Sequence, residues 1–142
     1  MRKILGQIII TVFLLIVAYV GWIIFDGVNK RSRREINENN AIRVLKQIHE
    51  AELNAQKKFG KFLNLDELIK ENSITFEIKN SKFSGYNFSV VVEKDKYAAF
   101  ASRNAGEGNI SFFLDETGII RSTDKLIAGP NDPPSKLQSL IK

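Results

Sequence analysis

The chain contains one histidine, and its surroundings are the first place to look for chemistry. His49 is followed by Glu50 in a stretch that begins like the zinc-binding pattern His-Glu-x-x-His, but Leu53 stands where the second histidine would be. Without a second nitrogen ligand one turn further along a helix, a zinc site of this type cannot be built. The prediction for His49 is therefore a solvated side chain on a helix surface.

Three other short patterns could also carry chemistry. Residues 122–125 read Ser-Thr-Asp-Lys and match the S-x-x-K of acylating serine enzymes, but the companion patterns S-D-N and K-T-G are missing. Residues 106–108 read Gly-Glu-Gly, a fragment of a phosphate-binding loop without its third glycine. Asp115, Glu116 and Asp124 lack the spacing that gathers the six or more oxygens of calcium, so a weak calcium site is the less favoured alternative. We predict no catalytic residue, no cofactor and no metal ligand, and disfavour a membrane-tethered enzyme.

The first structural element that the sequence predicts is an apolar run near the N-terminus. Residues 4–25 form 22 consecutive positions without a charge. As a helix this run reaches about 33 Å, enough to cross a hydrocarbon core about 30 Å thick. It is longer than the apolar region of a signal peptide and is not followed by a small-x-small cleavage site. The sequence therefore predicts a single-pass transmembrane helix in contact with the lipid bilayer.

The net charge of +5 is concentrated beside this run. Residues 1–3 are a short basic N-terminus and residues 26–35 are a basic juxtamembrane segment, whereas residues 35–142 hold 15 Lys and Arg against 15 Asp and Glu and are neutral. Cations beside a bilayer interact with anionic headgroups, so an interfacial collar is expected and a nucleic-acid partner is not. Counting cations favours a cytoplasmic domain, whereas short N-termini often stay inside, so charge leaves the orientation open. The predicted collar residues are Lys30, Arg31, Arg33 and Arg34.

Hydrophobic periodicity predicts an α+β domain over residues 36–122. Residues 36–60 follow helical spacing as an extension of the membrane helix, and Gly60 suits the helix end. Residues 61–73 are predicted as a loop with one short helical turn that Asn64 or Asp66 caps.

Residues 74–122 alternate like strands, beginning with Ile74, Phe76 and Ile78, and residues 123–142 are a C-terminal tail. The expected fold is one long N-terminal helix packed on a three- or four-stranded antiparallel sheet. The absence of cysteine excludes disulfides and thiolate metal sites. The side chains predicted to pack helix against sheet are Val44, Leu45, Ile48, Phe59, Tyr86 and Phe88.

Several of these stretches occur in a recognisable order. Residues 41–48 read Ala-Ile-Arg-Val-Leu-Lys-Gln-Ile, residues 84–88 read Ser-Gly-Tyr-Asn-Phe, and residues 112–121 fit the pattern F-x-x-D-E-x-G-x-I-R. Together they resemble the bacterial type IV pilin and type II secretion pseudopilin-like family over residues 36–122. The resemblance implies a pilin-like roll and a structural subunit. Such a subunit assembles with other pilin-like or secretion-apparatus subunits through its N-terminal helix.

The N-terminus departs from that family's pattern. Family precursors carry a basic leader ending in Gly, then Phe or Met, with Glu as the fifth residue after the cut. Gly6 and Gln7 occupy the cleavage position here, and Thr11 occupies the place of the Glu. The resemblance implies a subunit in the inner membrane, with its N-terminus inside and its domain extracytoplasmic. The departures keep a second hypothesis open, an uncleaved, signal-anchored extracytoplasmic accessory domain that binds a partner without polymerising.

Overall fold

The computed structural model describes residues 2–75, 78 and 85–140 of the chain. Helix α1 spans Arg2–Phe59 and helix α2 spans Leu65–Lys70. Four strands follow, and a short 3-10 helix covers Lys136–Leu140. The strands are β1 (Tyr86–Glu93), β2 (Lys96–Arg103), β3 (Ser111–Asp115) and β4 (Arg121–Thr123).

The chain forms two compact units, Met1–Arg33 and Arg34–Lys142. The first unit is the N-terminal part of α1, and the second contains the rest of α1, α2 and the strands. Gly60 follows the last residue of α1 at φ 71°, a left-handed conformation that suits glycine at a helix end. Its amide donates to the Gln56 carbonyl at 2.9 Å, as predicted for the end of this helix.

The four strands form one antiparallel sheet in the order β1-β2-β3-β4. β1 and β2 are a hairpin in which Tyr86 pairs with Arg103 and Glu93 pairs with Lys96. The β3–β4 turn is closed by the Gly118 amide, which donates to the Asp115 carbonyl at 3.0 Å, and Gly118 has φ 74°. An α+β fold with a long helix packed on a four-stranded antiparallel sheet is thus confirmed.

The core of the second unit lies between one face of α1 and one face of the sheet. On α1 this face repeats every three or four residues, which is the spacing of a helix buried on one side. α2 adds Leu65 and Leu68, and its start is fixed by a capping box between Asn64 and Glu67, so Asn64 is the cap. The buried residues on this face of α1 are Ala41, Ile42, Val44, Leu45, Ile48, Ala51 and Ala55.

The prediction that a strand begins at Ile74 is wrong for the described residues. Ile74 and Ile78 are both buried, but the Ile78 amide donates to the Thr75 carbonyl at 3.2 Å in a turn. Two apolar residues four positions apart can reach the core from a turn as well as from a strand, so their spacing does not distinguish a turn from a strand. Phe76, which was assigned to the same strand, lies outside the described residues.

The segment after β4 returns along that strand. The Ser122 amide donates to the Pro133 carbonyl at 3.0 Å, and the Ser135 amide donates to the Ile120 carbonyl at 2.8 Å. Arg121 and Pro134 form an antiparallel bridge between these two bonds. Residues 133–135 of the predicted tail 123–142 are therefore hydrogen-bonded to the β4 region, so this part of the tail is not a separate appendage.

Gly108 allows the Tyr86 ring to lie against the loop before β3. A Cβ at position 108 would be 2.3 Å from Tyr86 Oη, and that hydroxyl donates to the Ile110 carbonyl at 2.6 Å. We expect Gly108→Ala to lower the free energy of unfolding by about 2 kcal/mol through overpacking, measured by urea denaturation. Gly129→Ala, where a Cβ meets nothing within 4 Å, is the control. Equal stability of the two variants would contradict this packing.

Candidate functional site

The candidate site of the first unit is the surface of α1. Every side chain from residue 10 to residue 25 is exposed, and Trp22, at 71%, is the most exposed large apolar residue. The apolar stretch has a mean hydropathy of 2.1, and none of it is buried within the molecule. Among the described residues, α1 is the one helix long and apolar enough to cross a membrane. Its composition and length are compatible with single-pass anchoring.

The predicted cleavage position lies near the start of α1. Gly6 and Gln7 fall within the helix, and the Thr11 hydroxyl donates to the Gln7 carbonyl at 2.9 Å. A threonine hydroxyl carries no charge, and this one is bonded within its own helix. Cleavage between Gly6 and Gln7 stays a prediction.

The residues of the predicted basic collar have different partners. Lys30 Nζ lies 2.7 Å from Asp26 Oδ2 one turn earlier, an exposed pair of small energetic weight. Arg34 instead belongs to the second unit, where its Nε donates to the Gly106 carbonyl at 3.1 Å. Arg31 and Arg33 are exposed. The interfacial role of the collar stays a prediction, and Arg34 has a structural role as well.

Five of the six residues predicted to pack helix against sheet lie together in the buried core: Val44, Leu45, Ile48, Tyr86 and Phe88. The prediction for Phe59 is wrong, because its side chain is 42% exposed and the Lys58 ammonium lies 4.6 Å from its ring centroid. Gly60 ends the helix directly after Phe59 and turns the chain. Phe62 and Leu63 then enter the core in its place.

Glu38 of α1 is not among the residues that the sequence analysis singled out. It is buried, and its Oε1 accepts the Asn109 amide at 2.8 Å. One residue earlier, Asn37 Nδ2 donates to the Glu107 carbonyl at 2.8 Å. Together with Arg34, these side chains hold the loop between β2 and β3 against α1. The partners are about 70 positions apart in the chain, so no local pattern indicates them.

A second buried carboxylate, Glu52, holds the segment between α1 and α2. Its Oε2 accepts the Leu63 amide at 2.9 Å, while its buried Oε1 has no hydrogen-bond partner among the described residues. The pKa of Glu52 is raised to about 7, mainly because burial disfavours the charged carboxylate. The hydrogen bond from the Leu63 amide opposes this increase, and the nearby Glu67 carboxylate adds to it. The carboxyl group is therefore largely protonated in mildly acidic solution.

His49 is half-buried, so its prediction as a solvated residue is wrong. Its Nδ1 is hydrogen-bonded to the Tyr97 hydroxyl, which connects α1 to β2. A Cβ at position 118 would lie 3.0 Å from His49 Nε2, so the β3–β4 turn also packs on the ring. Burial lowers the pKa of His49, and the carboxylates of Glu50 and Asp115 partly oppose this effect. Burial also raises the pKa of Tyr97 above its usual range.

These polar groups join structural elements, and their arrangement offers little chemistry. Within residues 2–75, 78 and 85–140, no group of three or more His, Asp or Glu side chains is close enough to hold a metal ion. Ser122 and Lys125, the ends of the S-x-x-K pattern, lie in β4 and in the exposed segment after it.

Glu52 makes the stability of the second unit depend on pH. Its pKa is about 7 when folded against an ordinary value of 4.5, so the folded state binds the proton more tightly. The contribution of Glu52 to the free energy of unfolding should be largest below pH 4.5 and should fall by about 2–3 kcal/mol as the pH rises through 7. We expect Glu52→Gln to remove most of this dependence in denaturation curves at pH 5 and pH 8.

The exposed Glu93 at the end of β1 gives a matched control for that measurement. Glu93→Gln changes the same chemical group, but Glu93 is not among the carboxylates that shift the pKa of Glu52 or His49, so this variant should keep the wild-type dependence on pH. An unchanged difference between pH 5 and pH 8 in Glu52→Gln would contradict the assignment. It would mean that another group dominates the linkage.

Comparisons of the chain with protein-family models, with curated proteins and with solved structures gave no match. The chain's own features are therefore the basis for a functional proposal. These are a helix long and apolar enough to span a membrane, a small α+β unit built around the C-terminal part of that helix, and the exposed surfaces of that unit.

Proposed function

We propose that this chain is a pilin-like or pseudopilin-like structural subunit, anchored in the inner membrane with its α+β unit on the extracytoplasmic side. It acts by assembly, through packing of the N-terminal helix against neighbouring subunits of a type IV pilus or type II secretion-type apparatus. The observation that carries the proposal is that one helix, α1, presents bare apolar side chains over residues 10–25 and supplies the core helix of an antiparallel sheet further on.

The bare apolar surface of α1 favours assembly. Lipid and a second helix both remove the apolar side chains of residues 10–25 from water, and the two environments are similarly apolar. Whether the helix associates with another helix therefore depends on van der Waals packing and on how closely the two backbones can approach. Gly21 and Gly27 have nothing near the place where a Cβ would stand, so another helix could approach the backbone there. The motif resemblance over residues 36–122 supports the same function.

Thr11 favours a second candidate function. A subunit of the pilin type carries a glutamate at this place, whereas the Thr11 hydroxyl is bonded to the Gln7 carbonyl of its own helix. The chain would then be an uncleaved, signal-anchored accessory domain that binds a partner without polymerising. The two candidates share the fold and the membrane anchor, and they differ in processing and in contacts between helices.

Helix packing can be tested with single cysteines, because the chain has none of its own. Val17→Cys places a thiol on the bare surface of α1, and Asn54→Cys places one on the exposed face of the second unit. In native membranes we expect Val17→Cys to form disulfide-linked dimers upon oxidation, and Asn54→Cys to form several-fold fewer. Dimers equally rare in both variants would contradict assembly through the helix and favour the accessory domain.

Processing is tested by the intact mass of the membrane-extracted protein. A subunit should begin at Gln7, because the peptidase removes the residues up to Gly6. Gly6→Leu blocks that cut and should give the full-length mass, so it is the matched variant. A wild-type chain that retains Met1 would favour the accessory domain.

A further inference from the structure

The Glu52 carboxyl group lies where α1 meets the segment that follows it. Its side chain is 0% exposed, which is unusual for an acidic residue. Oε2 accepts the Leu63 amide at 2.9 Å, whereas the buried Oε1 has no hydrogen-bond partner among the described residues. A charged carboxylate at this place therefore has one donor, where water would supply several.

The segment that this carboxyl group holds is residues 61–71, here called the α2 segment. A left-handed turn stands at each end of it, with Gly60 at φ 71° and Asn72 at φ 54°. The Phe62 ring centroid lies 5.0 Å from that of Tyr97, so the segment also packs on β2. Helix α2 itself has six residues, too few to stay helical once detached. The buried apolar side chains of the segment are Phe62, Leu63, Leu65 and Leu68.

The charged groups of the α2 segment do not stabilise a negative charge on Glu52. Burial is the main reason that the pKa of Glu52 is raised to about 7, and the Glu67 carboxylate of α2 adds to the increase. Lys61 Nζ lies 4.0 Å from Glu67 Oε1, in an exposed pair. This cation is thus placed at Glu67, and the Leu63 amide is the group that favours the charged form of Glu52.

The titratable groups on the other side of Glu52 are also neutral or acidic. Burial raises the pKa of Tyr97 on β2, and the carboxylates of Glu52, Asp115 and Glu116 raise it further. His49, on α1 itself, has a pKa lowered by burial, and its Nδ1 is bonded to the Tyr97 hydroxyl. Tyr97 and His49 are therefore neutral near pH 7, and neither offers a positive charge to the Glu52 carboxylate.

We propose that loss of the Glu52 proton opens the α2 segment from α1 while α1 and the sheet stay folded. Opening gives both carboxylate oxygens access to water, so the charged form favours the open state. Such a local opening needs less free energy than unfolding of the whole unit. The proton on Glu52 then sets how often the apolar side chains of the α2 segment are exposed. This device belongs to the second unit alone and does not require assembly.

Amide hydrogen exchange of the full-length chain in detergent micelles measures this opening. Each exchange rate is divided into that of the same amide in an unstructured chain at the same pH, which gives a protection factor. We expect protection of the Leu63 and Leu68 amides to fall about tenfold between pH 6 and pH 8, because the pKa of Glu52 is about 7 in the closed state and 4.5 ordinarily. Amides of β2, the strand between β1 and β3, should be more protected at both pH values.

Two variants separate Glu52 from other groups. Glu52→Gln keeps an oxygen that can accept the Leu63 amide and removes the charge, so protection of the α2 segment should be equal at pH 6 and pH 8. Glu93→Gln, at the exposed end of β1, should keep the tenfold change. A tenfold change that persists in Glu52→Gln would overturn the proposal.

Two results with the wild-type chain alone would also overturn the proposal. One is protection of the Leu63 and Leu68 amides that does not change between pH 6 and pH 8. The other is equal protection of these amides and the amides of β2, because the α2 segment would then open only when the whole unit unfolds.

Discussion

The apolar surface of α1 between residues 10 and 25 is the constraint from which the functional account follows. Each of these side chains is exposed, and the apolar ones would be removed from water at a gain of about 25 cal/mol for each Å² covered. Nothing in the described chain covers them. A bilayer or a second helix can cover them. The proposed membrane anchoring corresponds to contact with the bilayer, and the proposed assembly corresponds to contact with a second helix.

The C-terminal part of the same helix is buried in a different way. Its apolar face packs on the sheet, while two carboxylates on it, Glu38 and Glu52, accept backbone amides from the loop before β3 and from the segment after α1. Helix α1 therefore supplies both the apolar core and the polar attachments of the second unit. The link to the proposed function is that these contacts fix the surfaces that the unit presents to a partner.

Local signals predicted much of this fold, and distant contacts account for what they missed. Gly60 at the helix end and Gly118 in the β3–β4 turn were predictable because both positions need a left-handed backbone that glycine adopts easily. The burial of Glu38 and Glu52 was not predictable from the local sequence, because each carboxylate is buried against a backbone amide from another part of the chain. His49 was misjudged for the same reason, since Tyr97 is 48 residues away. An open groove between α1 and the segment after β4 likewise depends on the return of the chain along β4, which the sequence of the proline-containing segment does not indicate.

The most direct test of the central claim uses the single tryptophan of the chain, Trp22, which lies near the end of the apolar run and is 71% exposed. The measurement is its fluorescence in the full-length protein after reconstitution into vesicles with and without brominated lipids. If α1 lies in the bilayer, emission shifts to shorter wavelength and brominated lipids quench it, because tryptophan at the end of a membrane helix sits at the interface. Emission that is quenched by aqueous iodide and unaffected by brominated lipids would contradict the account.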